Sequence, residues 1–76
     1  VPQDLFNVSI EHFSDEVVQE LFNELLAVYN VDREDVRLLV RPSGTEPLVR
    51  VMIEALNGEF VEVFAERLKS LYGAQA

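Results

Sequence analysis

Seventy-six residues with fourteen acids against six bases, a formal charge of −8, make a small acidic chain. Its length allows one domain around one core, and 49% apolar residues argue for a globular chain over a disordered one. The lack of cysteine excludes a disulfide framework and a thiolate metal site, and the net charge argues against nucleic acid, anionic membranes and, on average, phosphorylated ligands. No apolar run approaches the roughly 18 residues of a membrane span, and no signal peptide is visible. The chain starts at Val1 without methionine, so it is expected to be a piece of a longer protein or a processed product.

Leu5 to Ile10 alternates, with Phe6, Val8 and Ile10 on one side and Leu5, Asn7 and Ser9 on the other. Period two predicts a half-buried strand. Ser14 is placed to cap a helix whose first turn carries Asp15 and Glu16. Val18, Leu21, Phe22, Leu25 and Tyr29 then share one helical face. Val31 to Asp35 reads as an acidic, solvated connection, since calcium loops need regularly alternating oxygen ligands and a glycine.

Val36 to Arg41 and Leu48 to Ala55 are rich in β-branched residues and bracket a turn-rich stretch, which predicts a hairpin. Both apolar sets must share a face. Pairing Val40 with Val49, Leu38 with Val51 and Val36 with Ile53 achieves this. Shifting the pairing so that Arg37 faces Arg50 also does, but like charges disfavour it. The preferred register leaves Pro42 to Pro47 as the tip. Asn57 can cap a last helix with Phe60, Val61, Phe64, Leu68 and Leu71 buried and Gly73 as its stop. The order β-α-β-β-α predicts an α+β two-layer sandwich, a small mainly antiparallel sheet with two helices on one face, formed by a single domain over residues 1–76.

One segment carries chemistry: Arg41-Pro42-Ser43-Gly44-Thr45-Glu46-Pro47. Glycine permits a tight turn, and successive N–H groups in such a turn form an anion-binding concavity. The Ser43 and Thr45 hydroxyls can donate to phosphate oxygens, and the planar fork of Arg41 matches a phosphate face. A turn whose hydroxyls satisfy their own backbone is the alternative. Ser43 has no evident general base beside it, because the lone histidine, His12, precedes the first helix and is expected at the surface or in a capping role.

The fourteen residues from Arg41 to Glu54 resemble the C-terminal signature of the α-D-phosphohexomutases. The likeness is closest to the bacterial phosphoglucosamine mutase subclass, where an R-x-S-G-T-E-P loop runs into an L-[VI]-R-V-M-[VI]-E strand. Val1 to Val8 resembles the family's lead into this domain, and Ala65 to Leu68 its last helix. The resemblance implies the last of four domains, a TBP-like fold with a four-stranded sheet and two helices. It also implies a cytoplasmic parent enzyme that interconverts glucosamine 6-phosphate and glucosamine 1-phosphate through a bisphosphorylated sugar and a phosphoserine. Arg41, Ser43, Gly44 through its backbone and Thr45 are then the substrate phosphate ligands, with Glu46 and Arg50 as loop support. The partners implied are the phosphosugar and the other domains of the parent. The family's serine loop, magnesium loop and sugar-selecting loop are not among these residues, so no catalytic residue and no metal site is expected here, and Mg2+ belongs to another domain of the parent.

Two alternatives remain at this level: a phosphomannomutase or phosphoglucomutase of the same superfamily, and a non-enzymatic module whose acidic helices bind a basic partner. The charge distribution favours an anion at one place. Residues 36–53 hold three arginines and one acid, a net of +2, while the other fifty-eight hold three bases and thirteen acids, a net of −10.

Overall fold

A computed structural model describes residues 2–73. The elements run β1 (Gln3–Ser9), α1 (Asp15–Val28), a 3-10 turn (Arg33–Asp35), β2 (Val36–Pro42), β3 (Leu48–Ala55) and α2 (Gly58–Tyr72). The strands form one antiparallel sheet in the order β1-β3-β2, so the most apolar strand is central and shielded on both edges. This is the α+β sandwich expected. The fourth strand implied by the resemblance does not occur among the described residues, where the segments between elements are short turns.

The helices start where their caps predict. The Ser14 hydroxyl accepts the Val17 N–H at 3.3 Å, and the Asn57 carboxamide accepts the Phe60 N–H at 3.2 Å. Gly73 closes α2 in the left-handed region at φ 62°. The core lies between the helices and the inner sheet face. Phe6, Val8, Val51 and Ile53 come from the sheet, Val18 and Phe22 from α1, and Phe60, Phe64 and Leu68 from α2. Phe22 meets Phe60 and Phe64 edge-on, with ring centroids 6.2 and 5.8 Å apart, and Tyr29 meets Phe60 edge-on at 6.3 Å. These aromatic contacts join the two helices. Arg33 lies over the Phe22 ring, 5.3 Å from its centroid, and donates to Asn23.

Several boundaries differ from expectation. β1 begins at Gln3 and ends at Ser9, and Ile10 is half exposed rather than pointing into the core. The chain turns there, with the His12 and Phe13 N–H groups both donating to the Ser9 carbonyl. On α1, Leu26 joins Val18, Phe22 and Leu25 in the core, whereas Leu21 and Tyr29 are only half-buried. On α2, Leu71 is exposed, and the Tyr72 ring lies over Phe13 instead. The end of α2 meets the β1–α1 turn, where the Tyr72 hydroxyl donates to the Ser14 carbonyl at 3.4 Å.

The hairpin register is shifted by two residues. Val36 faces Ala55, Leu38 faces Ile53, Val40 faces Val51, and Arg41 faces Arg50. The inner face is unchanged by a two-residue shift, so inner-face burial does not choose between these registers. The outer face does. The observed pairing sets Leu39 against Met52 and Arg37 against Glu54, sorting apolar with apolar and base with acid. It also extends the ladder through Pro42, which an edge strand tolerates. The one unfavourable consequence is that Arg41 and Arg50 stand opposite each other, beside the loop.

Candidate anion site

The loop of residues 43–47 is closed by the Ser43 N–H donating to the Leu48 carbonyl at 2.8 Å and tightened by the Leu48 N–H donating to the Glu46 carbonyl at 2.7 Å. The Ile10 N–H donates to the Pro47 carbonyl at 3.0 Å, tying the loop's far end to the turn after β1. Gly44 has φ 87°, and a Cβ built there would meet nothing within 4 Å. The glycine is required by its backbone conformation, not by lack of space.

Because the Ser43 N–H closes the hairpin, it is not free for a ligand. Among the described residues, no acceptor takes the N–H groups of Gly44, Thr45 or Glu46. Three consecutive donors therefore stand at an exposed tip, the arrangement of an anion-binding nest. Thr45 and Glu46 are exposed, and Ser43 is half-buried. Glu46 supports the loop through its carbonyl rather than its side chain.

Arg41 and Arg50 lie on the outer sheet face at the base of the loop, on adjacent strands. With Leu5, Leu39 and Met52 they line a shallow depression of about 210 Å³. Across the face the residues fall in rows: Gln3, Glu54 and Arg37; then Leu5, Met52 and Leu39; then Asn7, Arg50 and Arg41. Arg37 stands opposite a carboxylate. Arg41 and Arg50 stand opposite each other, and among the described residues neither forms an ion pair. Two guanidiniums on adjacent strands at the base of a loop with three open N–H groups are donors of the kind that an oxyanion accepts from.

A profile of the family described as "Phosphoglucomutase/phosphomannomutase, C-terminal domain" matches residues 5–71. The chain belongs to this family. It is 38% identical over 77 residues to a phosphoglucosamine mutase of Limosilactobacillus reuteri, covering 97% of this chain and 17% of that protein. It is 55% identical over 51 residues to one from Oceanobacillus iheyensis, covering 67% of this chain and 11% of that protein. With one from Staphylococcus haemolyticus the identity is 45% over 71 residues, 88% of this chain and 15% of that protein. The chain thus spans less than a fifth of the length of these relatives and corresponds to their C-terminal domain.

Other features fall outside this spot. His12 is exposed and borders a separate hollow with Ser14, Val17, Leu71 and Tyr72; the α1 cap is Ser14. Among the described residues, no group of three or more His, Cys, Asp or Glu side chains gathers to hold a metal ion. No described helix is long and apolar enough to cross a membrane.

Proposed function

We propose that this domain anchors the substrate's non-reacting phosphate in a cytoplasmic phosphosugar mutase that interconverts glucosamine 6-phosphate and glucosamine 1-phosphate. Arg41 supplies a guanidinium fork, Ser43 and Thr45 supply hydroxyls, and Gly44 presents its N–H. Arg50, which the resemblance implies as loop support, joins Arg41 in this reading as a second guanidinium on the phosphate. The observation that carries this reading is the pairing of Arg41 with Arg50 beside a loop tip of open N–H groups. A like-charged pair is unfavourable in an empty sheet and becomes favourable once a dianion lies between the two cations.

In such a mutase a sugar is held in two opposite orientations, one phosphate reacting while the other is anchored. The remote anchor supplies binding energy that orients the reacting end. A domain that carries the anchor and closes over the sugar also excludes water, which would otherwise hydrolyse a phosphoenzyme. The magnesium and the phosphorylated serine belong to other domains of the parent, as does sugar selection.

The test is Arg41→Ala in the intact enzyme. Loss of a charge-assisted contact made in both ground and transition states raises KM and lowers kcat/KM by roughly tenfold or more. Wild-type kinetics in a folded variant would contradict the assignment.

A further inference from the structure

Arg50 has a like charge on one flank, Arg41, and an amide on the other, Asn7. Directly opposed residues in an antiparallel pair hold their Cβ atoms about 4.5–5.5 Å apart, within side-chain reach. A guanidinium has five N–H donors and no acceptor, and a carboxamide oxygen is an acceptor with two lone pairs. Asparagine is disfavoured in strands, yet Asn7 stands in mid-strand between the fully buried Phe6 and Val8. It is half-buried, and among the described residues its side chain takes part in no hydrogen bond. Asn7 borders a hollow of about 160 Å³ with Ser9, Leu48, Tyr72 and Gly73, separate from the depression that Arg41 and Arg50 line.

The rows of the sheet offer a comparison. Arg37 has Glu54 opposite it, so the formal charges in that row offset each other, although among the described residues the two side chains form no ion pair. A carboxylate at position 7 would offset the charge of Arg50 in the same way and so cancel the charge the anion needs. An amide holds without cancelling. We propose that Asn7 is a positioning residue: its Oδ1 accepts from the Arg50 guanidinium and directs the remaining N–H groups towards the loop tip. This inference rests on the reading of Arg41, Arg50 and the loop as an anion anchor.

The test is a double-mutant cycle on the 76-residue chain, titrated with inorganic phosphate and followed by NMR. Asn7→Ala weakens phosphate binding by roughly three- to tenfold, the size expected for losing a hydrogen bond to a charged group. In an Arg50→Ala background the same change has no further effect, whereas in an Arg41→Ala background the loss persists. Without ligand, the Arg50 Nε–H signal moves in Asn7→Ala while that of Arg37 does not. Asn7→Asp keeps the fold and weakens binding at least as much as Asn7→Ala. Asn7→Thr, which favours a strand and keeps an acceptor, recovers part of the affinity and covers the case in which Asn7→Ala does not fold. An equal loss from Asn7→Ala with and without Arg50, or an unchanged affinity with an unmoved Arg50 signal, would overturn the inference. If Arg50→Ala weakens binding and neither Asn7→Ala nor Asn7→Asp does, the positioning role alone falls. If Arg50→Ala binds phosphate as the wild type does, Arg50 is no part of the anchor and the inference falls with it.

Discussion

Gly44 is where a single residue sets the geometry of the loop. Its φ of 87° turns the chain so that the N–H groups of residues 44–46 remain open, and the space around it is empty. Gly44→Ala therefore meets backbone strain without a steric clash. The strain is about 1–2 kcal/mol, which lowers Tm by roughly 4–15 °C in a domain of this size. Thermal unfolding followed by circular dichroism checks this, and an unchanged Tm would show that the loop relaxes out of the left-handed region. The residue types of the candidate site stand in the sequence, but glycine, hydroxyls and arginine in one turn also suit a turn whose hydroxyls satisfy their own backbone. The adjacency of Arg50 to Arg41 was not legible there. The like-charge rule that counted against placing Arg37 opposite Arg50 gave no hint that the fold sets Arg41 there instead. Local rules are broken most often where a ligand restores the balance.

At the scale of elements, the helices are joined by the Phe22, Phe60 and Phe64 cluster, and Phe60 and Phe64 are fully buried on one face of α2. Phe64→Ala should remove about 3–5 kcal/mol, against a total stability of roughly 4–11 kcal/mol for a chain this long. Urea denaturation at 25 °C should find the midpoint lowered by that loss, enough to unfold the variant only at the bottom of the stability range. Phe64→Leu, which keeps most of the volume, should remain folded. A loss under about 1 kcal/mol in Phe64→Ala would contradict the packing described. Helix starts were readable because Ser14 and Asn57 satisfy specific N–H groups three residues on. Helix ends were less so. Leu71 has the right spacing for the core but is exposed, and only the tertiary arrangement shows that Tyr72 takes up the contact with Phe13. Register was the least readable feature, since a two-residue slip leaves every inner-face residue on the inner face.

For the whole molecule, the charge of −8 divides into an acidic remainder and a basic patch over residues 36–53. The patch is exposed on the sheet face away from the helices, with Arg41 and Arg50 at its loop end. Exposed charges are screened over about 10 Å at 0.1 M salt and about 3 Å at 1 M. Phosphate affinity of the chain should accordingly fall by roughly threefold or more between these concentrations of sodium chloride. An affinity independent of salt would mean that the arginines do not contribute. The most direct test of the anion anchor is a phosphate titration of the isotopically labelled 76-residue chain. The account predicts saturable NMR shifts at the Gly44, Thr45 and Glu46 amides and at the Arg41 and Arg50 side chains, with the hollow around His12 and Tyr72 unmoved. Shifts centred on that hollow, or no response in the loop of a folded chain at high millimolar phosphate, would contradict it.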